Sequence, residues 1–116
     1  MEKNEIILDF GSTSLIAELF DSKVAVGFFE NLPYKVSLET WGGKLCGPIG
    51  INIGEENLDP DIPPGGIGYT SDGNCFCIFF GHKPAWPAEY IGQIKGDSWK
   101  KLIENSFYSV TIRPKL

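Results

Sequence analysis

Residues 66–80 read Gly-Ile-Gly-Tyr-Thr-Ser-Asp-Gly-Asn-Cys-Phe-Cys-Ile-Phe-Phe, and this stretch decides the fold. Two runs rich in aromatic and branched residues flank Asp72-Gly73, a dipeptide that favours a tight turn between antiparallel strands. A further apolar run, Tyr90-Ile91-Gly92-Gln93-Ile94-Lys95, follows shortly afterwards. The second half of the chain is therefore predicted to be built mainly from antiparallel strands.

The first half of the chain begins with a predicted hairpin and a short helix. Residues 5–10 and 14–20 are apolar segments separated by a Gly-Ser-Thr turn, which is typical of paired strands. Asp21-Ser22 offers an N-cap, and apolar residues recur at helical spacing over 24–32 until Pro33 ends the pattern. The predicted helix packs its apolar face against the strands.

The remaining segments alternate strands with one loop and one helix. Residues 34–40 and 49–53 alternate at the strand period, and residues 55–66 carry acids, prolines and glycines with almost nothing to bury. Asp97 is expected to cap a second helix with an apolar stripe, and residues 107–112 form the last strand. The stripe consists of Trp99, Leu102 and Ile103, and the apolar positions of the last strand are Tyr108, Val110 and Ile112.

The predicted elements add up to a mainly β protein with about eight strands and two short α-helices. Eight strands are the number at which a closed barrel is filled by its own side chains. At 116 residues, the chain is expected to form a single domain over residues 1–116. The fold predicted from the sequence is a closed eight-stranded barrel capped by the two helices.

Composition excludes several functional classes. The net charge is −5 and the ten basic residues are scattered, which disfavours nucleic acid because phosphate binding needs clustered Lys and Arg. No apolar run approaches the length of a membrane span, and the charged start of the chain shows no signal peptide. Three cysteines without a disulfide-framework spacing suit reduced thiols, so we expect a cytoplasmic protein.

Neither a metal site nor a cofactor is predicted. The acids of residues 55–66 lack the alternating Asp/Asn ladder and the terminal Glu of a calcium-binding loop, so a solvated loop is favoured. Cys75, Cys77 and His82 could supply soft ligands, but the two cysteines follow a strand rather than the loop spacing of a structural zinc site. Packing is the favoured interpretation of these cysteines.

Several segments resemble the cyclophilins, in the same order along the chain. Residues 15–32 are similar to the segment in which a strand ending Glu-Leu-Phe precedes an Asp-Lys-Val helix start. Residues 66–69, 74–78 and 90–96 fall where that family has Pro-Gly-Ile-Leu-Ser, Ser-Gln-Phe-Phe-Ile and Val-Val-Phe-Gly-Lys-Val, and the last ten residues resemble its closing strand. Thr40-Trp41-Gly42, Ile67-Gly68-Tyr69 and Phe79-Phe80-Gly81-His82-Lys83-Pro84 more closely resemble small prokaryotic cyclophilin-like proteins of unknown function.

The resemblance implies a fold shared with peptidyl-prolyl isomerases but not their main catalytic group. Cyclophilins use an arginine in a Phe-His-Arg motif to weaken the resonance of the prolyl amide. No arginine lies between Pro33 and Ile53, and Arg113 does not match the motif. Lys44 is a poor replacement because it lacks the planar fork of a guanidinium. No catalytic residue is therefore predicted.

The same resemblance predicts a ligand-binding groove. The family's groove glutamine falls on Cys75 and its proline-pocket phenylalanine on Cys77. Strand alternation then sends Phe76, Ile78 and Phe80 into the barrel and leaves Cys75, Cys77 and Phe79 on the groove face. The predicted groove consists of Trp41, Cys75, Cys77, Phe79, His82 and Trp86.

Trp41, His82 and Trp86 of the predicted groove also have structural interpretations. His82 is a lone histidine after a glycine, which is more often a surface residue than an acid–base catalyst. Trp86 lies between prolines and Trp41 follows a strand, so either ring could border a ligand or could pack as a lid over one end of the barrel.

Three functions remain open from the sequence. The first is a module that binds a peptide or small molecule in the groove without catalysis, as retained architecture with a lost arginine indicates. The second is a weak peptidyl-prolyl isomerase that holds a twisted peptide in an apolar pocket. The third is a protein that associates with a partner through an exposed face, although the sequence does not rank oligomeric states.

Overall fold

The computed structural model describes residues 4–41, 43–81 and 87–115. Within them the chain forms ten strands and two short helical segments. In chain order these are β1 (Asn4–Asp9), β2 (Ser14–Leu19), α1 (Lys23–Glu30), β3 (Tyr34–Ser37), β4 (Glu39–Trp41), β5 (Lys44–Pro48), β6 (Leu58–Asp59), β7 (Gly66–Thr70), β8 (Cys75–Phe79), β9 (Ala88–Ile94), a 3-10 turn (Ser98–Lys100) that runs into α2 (Lys101–Glu104), and β10 (Ser109–Pro114).

The strands form one antiparallel sheet that curls into a nearly closed barrel. Nine strands follow the order β3-β10-β1-β2-β9-β7-β8-β5-β4, and the short β6 pairs with β9 beside that path. At the seam, a side chain on Gly47 of β5 would lie 2.1 Å from the carbonyl oxygen of Ser37 in β3. The absence of a side chain at Gly47 therefore lets the two ends of the sheet approach.

The predicted mainly β barrel with two short helices is confirmed, but the strand count and the closure differ from the prediction. The single strand predicted over residues 34–40 breaks at Leu38, whose N–H bonds instead to the carbonyl of Tyr108 at 2.8 Å. Residues 44–48 form the additional strand β5, which pairs with both β4 and β8. A nearly closed barrel of nine strands results, with the two-residue β6 paired beside it.

The strand predicted over residues 49–53 is wrong. Gly50 and Gly54 have φ angles of +85° and +90°, a backbone conformation that interrupts a strand and that glycine adopts without strain. The segment is held instead by Tyr69, whose hydroxyl accepts a bond from the N–H of Ile53 at 3.1 Å and donates to the side-chain oxygen of Asn74 at 2.9 Å. One buried phenol thus fixes an irregular segment to the β7–β8 hairpin.

Helix α1 forms as the sequence predicts, whereas α2 and β10 differ in detail. Ser22 caps α1 by accepting the N–H of Ala25 at 3.3 Å, and Phe28 is fully buried. In the second helical region Leu102 is buried, but Ile103 is 57% exposed because the helix is a single turn after a 3-10 start. Tyr108, predicted as an apolar position of the last strand, precedes β10 and is 78% exposed.

The main hydrophobic core fills the barrel, and a smaller cluster lies outside it. The main cluster includes Phe28, Tyr69, Phe76 and many aliphatic side chains of the strands. The smaller one contains Ile62, Cys77, Phe79 and Ala88. Among the described residues, no helix has the length and apolar character needed to cross a membrane.

Candidate functional site

Strand β8 divides its side chains between these two clusters. Phe76 and Ile78 are fully buried in the main core, where the ring of Phe76 stacks on Phe28 with centroids 5.9 Å apart. Cys77 and Phe79 belong to the outer cluster. The side chains of β8 therefore lie on the faces that strand alternation predicts, and the outer face is the one that carries the predicted groove residues.

The outer face of β5 and β8 carries three thiols and a lysine. In the β5–β8 register Cys46 lies opposite Cys77, Lys44 opposite Phe79, and Pro48 opposite Cys75. The ammonium of Lys44 lies 5.6 Å from the centre of the Phe79 ring, a cation–π distance. We call this surface, formed by Lys44, Cys46, Cys75, Cys77 and Phe79, the thiol face.

Much of the thiol face is packed rather than open. Cys77 is 2% exposed and Phe79 is fully buried, whereas Cys75 and Cys46 keep intermediate exposure. The cover comes from Ile62, which is 4% exposed, so the expectation that residues 55–66 bury almost nothing is wrong at this position. A Cβ atom added at Gly68 would lie 2.5 Å from the ring of Phe79, and one added at Gly66 would lie 2.3 Å from Ile62. These glycines make room for both residues.

The thiols of Cys46 and Cys77 are in direct contact, with their sulfur atoms 2.6 Å apart. The hydrogen bond from Cys77, assisted by Lys44, lowers the pKa of Cys46 below its ordinary value. The same contact and burial raise the pKa of Cys77. Burial also raises the pKa of Cys75, which neighbours Cys46 and Asp72. Cys46 is therefore the thiol with the greatest thiolate character on this face.

Three members of the predicted groove fall outside what the structure describes. His82 and Trp86 lie in residues 82–86, and the side chain of Trp41 is likewise not described, although the backbone of Trp41 pairs with Lys44. The structure thus brings together Cys75, Cys77 and Phe79. Among the described residues, the cation on this face is Lys44. Arg113 is exposed on β10, which β1, β2, β9 and β7 separate from β8 along the sheet.

A cavity of about 390 Å³ lies where β6 pairs with β9 near the start of α1, and the sequence did not predict it. Its lining residues are Ser22, Asn57, Leu58, Asp59, Pro60, Glu89 and Tyr90. We call it the β6–β9 cavity. The sequence signal that could have indicated this cavity is Glu89, an acid between Ala88 and the apolar strand predicted to begin at Tyr90.

Two carboxylates and an aromatic ring define the chemistry of the β6–β9 cavity. Glu89 is 3% exposed, and its Oε2 accepts the N–H of Glu56 at 2.8 Å, which fixes the carboxylate in the wall. Burial, and then the nearby charge of Asp59, raise the pKa of Tyr90. The Tyr90 ring meets Phe20 edge-on with centroids 4.9 Å apart, and its hydroxyl is hydrogen-bonded to Gln93. These contacts hold both the ring and the carboxylate in place.

The described residues offer no metal site. Within residues 4–41, 43–81 and 87–115, no group of three or more His, Cys, Asp or Glu side chains is arranged to hold a metal ion. The reactive or charged groups described above are thiols at one surface and carboxylates beside an aromatic ring at another.

Comparison with known proteins identifies the fold family. A model of the family described as cyclophilin-like matches residues 4–113. The solution structure of a hypothetical protein from Archaeoglobus fulgidus superposes with a TM-score of 0.75 over 97% of this chain and 95% of that one, at 21% sequence identity. No curated protein matches the sequence. The match over nearly the whole chain, together with the antiparallel barrel, shows that this chain belongs to the cyclophilin-like family.

Proposed function

We propose that the protein is a binding module, and that it takes a small, positively charged organic molecule in the β6–β9 cavity. The observation that carries the proposal is Glu89, a carboxylate only 3% exposed that nevertheless lines a cavity of about 390 Å³. Small-molecule pockets usually measure about 300–1,000 Å³ and combine an apolar lining with a few fixed polar groups. The β6–β9 cavity falls within that range of volume, and its polar groups lie beside the apolar Leu58, Pro60 and Tyr90.

The lining selects for positive charge. Asp59 and Glu89 contribute two carboxylates, and the net charge of the chain is −5, so the cavity attracts cations and repels anions. Tyr90 adds an aromatic ring to the lining, with which an ammonium group could make a cation–π contact, and Leu58 and Pro60 provide apolar contact for the rest of the molecule. An organic amine therefore fits better than a carboxylate, a phosphate or a neutral sugar.

Titration of the protein with choline and with putrescine, followed by amide chemical shifts, tests the proposal. We expect saturable shifts at Asn57, Leu58, Glu89 and Tyr90, and a loss of affinity of at least about tenfold in Glu89→Gln, because a charge-assisted contact is removed. The glutamine oxygen can still accept the N–H of Glu56, so the wall should remain intact. Glu104→Gln, an exposed change on α2, is the matched control and should bind like the unchanged protein.

Three outcomes would contradict the assignment. They are an absence of shifts at millimolar amine, equal binding by Glu89→Gln, and equal shifts with a neutral isostere of choline. Shifts confined to residues 75–80 on addition of a ligand would instead support the groove predicted from the sequence. We also propose a cytoplasmic location, as expected from the sequence, because three cysteines without a framework spacing do not indicate a disulfide-rich secreted domain.

Weak peptidyl-prolyl isomerase activity is the second candidate, and the placement of Lys44 supports it. Its ammonium lies above the Phe79 ring on the face that carries the predicted groove. A lysine can bind a carbonyl as a point charge but cannot reproduce the planar contact of a guanidinium. We expect exchange spectroscopy on Xaa-Pro peptides to show at most a small acceleration that Lys44→Met abolishes, and a large acceleration would displace the binding proposal.

A further inference from the structure

The thiol face holds a pair of cysteines that do not line the β6–β9 cavity and have no part in the proposed binding. Cys46 and Cys77 lie opposite each other on adjacent antiparallel strands, with sulfur atoms 2.6 Å apart. Non-bonded heavy atoms normally approach to about 3.5–4.0 Å, and a disulfide bond is about 2.05 Å long. The two sulfur atoms are thus already inside ordinary contact distance without being bonded.

The position of the pair in the ladder suits a disulfide. The ends of the β5–β8 ladder are marked by the bonds from Ile49 N–H to Asn74 O and from Phe80 N–H to Gly43 O, both 2.8 Å. Hydrogen-bonded and non-hydrogen-bonded pairs alternate inward from each end, so Cys46–Cys77, an odd number of steps from both, is a non-hydrogen-bonded pair. In such pairs the Cα atoms are about 4.5 Å apart, inside the range of about 4.4–6.8 Å that a disulfide spans.

The remaining cysteine does not share this geometry. Cys75 lies opposite Pro48, so it has no thiol directly across the ladder. It lies two residues from Cys77 on the same strand, a spacing too long for an unstrained bridge. The geometry therefore selects one of the three possible pairings.

We propose that Cys46 and Cys77 form a reversible disulfide by exchange with low-molecular-weight disulfides such as oxidised glutathione. The Cys46 thiolate attacks one sulfur of the small disulfide, whose S–S bond breaks and releases one half as a thiolate. The sulfur of Cys77 then attacks the mixed disulfide at Cys46, which forms the Cys46–Cys77 bond and expels the second half. The Cys77 proton passes to a released thiolate, and two electrons leave the protein to reduce one small disulfide to two thiols.

The surroundings assign the two cysteines different roles in this exchange. Cys46 keeps intermediate exposure and a lowered pKa, so it is the thiol that an external disulfide can reach. Cys77 is 2% exposed, so its sulfur can resolve a mixed disulfide at Cys46 but cannot start the exchange with a solvent molecule. Excess reduced thiol drives the same exchange backwards, because each thiol–disulfide exchange step is reversible.

Equilibration of the native protein in glutathione buffers of graded ratio, followed by alkylation and mass spectrometry, tests the proposal. Under oxidising ratios we expect the loss of two hydrogens, one alkylated thiol, and a peptide map that joins Cys46 to Cys77. Cys75→Ser is the matched control and should form the same bridge with no alkylated thiol. The bridged form should unfold at least about 5 °C higher than the reduced form, because the bridge restrains the unfolded chain.

Cys46→Ser should form no bridge, and Cys77→Ser should stop at a glutathione adduct on Cys46. Because Cys77 is buried, the wild-type peptide map decides the question even if that variant is poorly folded. A native bridge that includes Cys75, a random mixture of the three pairings, or three alkylatable thiols in the most oxidising buffer would each overturn the proposal. As a reference, oxidation after denaturation in urea should give a random mixture of the three pairings in the peptide map, because the native geometry is then lost.

Discussion

The thiol face and the β6–β9 cavity lie on the outside of the same barrel, yet one is filled and the other is open. Tyr90 belongs to both, since it packs against the outer cluster of Cys77 and Phe79 and also lines the cavity. On one side of it Ile62 covers Phe79, and on the other the carboxylate of Glu89 stays beside empty space. The two parts of this outer surface thus differ in whether a side chain from the loop, that of Ile62, covers them.

Two glycines account for the close packing of the thiol face, whereas a short strand accounts for the open space at the cavity. Gly66 and Gly68 leave a depression that Ile62 and the Phe79 ring fill. By contrast, β6 is only two residues long, and its pairing with β9 places Leu58 opposite Glu89, which is 3% exposed yet lines the cavity. The thiol face is therefore a packed surface, whereas the β6–β9 cavity, the proposed binding site, is an open one.

Truncation of one large side chain in each region should separate them most strongly. We expect Phe79→Ala to lower the free energy of unfolding by about 3–5 kcal/mol, because a fully buried ring is removed from a packed cluster. Leu58→Ala, which shortens a side chain 45% exposed at the cavity, should cost about 0.5 kcal/mol or less. Urea denaturation of both variants measures the difference, and similar losses would show that the cavity is as tightly packed as the thiol face.

Replacement of glycine by alanine should change the free energy of unfolding in opposite directions at two positions. In Gly68→Ala the new methyl group would lie 2.5 Å from the buried Phe79 ring, so we expect a loss of about 1–3 kcal/mol. In Gly27→Ala, on the helix that borders the cavity, the nearest atom is the Cβ of Ile53 at an ordinary 3.7 Å, so helix propensity should give a gain of about 0.5–1 kcal/mol. Thermal denaturation tests both, and a stabilising Gly68→Ala would refute the account of how Ile62 and Phe79 fit.

The smallest expected effect concerns ionisation within the thiol face. The hydrogen bond from Cys77 is the main cause of the lowered pKa of Cys46, so Cys77→Ala should raise that pKa. Since the thiolate is the reactive form, the pH profile of Cys46 alkylation should then shift to higher pH, with slower reaction at neutral pH. Measured in a Cys75→Ser background, an unchanged or lower midpoint would show that Lys44 alone sets the reactivity.

Much of the barrel could be predicted from the sequence because its local signals agree with the fold. The Asp72-Gly73 turn, the alternation along β8 and the Ser22 cap of α1 each correspond to an observed element. The predictions failed where a local pattern competes with tertiary contacts. Residues 49–53 alternate like a strand, but positive φ angles at Gly50 and Gly54 and the bonds to Tyr69 hold them in irregular structure.

The site was harder to predict than the fold because it depends on which loop covers which surface. Strand alternation placed Cys75, Cys77 and Phe79 on the outer face, but nothing in the sequence of residues 55–66 shows that Ile62 covers them. The contact between Cys46 and Cys77 needs the register of β5 against β8, and β5 was not predicted as a strand. The β6–β9 cavity likewise requires the pairing of a two-residue strand that carries no periodic signal.

The Tyr69 hydroxyl has a consequence for local opening of the chain. Because it accepts the N–H of Ile53, that amide is shielded although it belongs to no regular element. Its hydrogen exchange is therefore coupled to separation of the β7–β8 hairpin from this segment, not to fraying of a surface loop. Replacement of that one oxygen, as in Tyr69→Phe, would release residues 51–53 to exchange with solvent while the hydrophobic ring continued to fill the centre of the barrel.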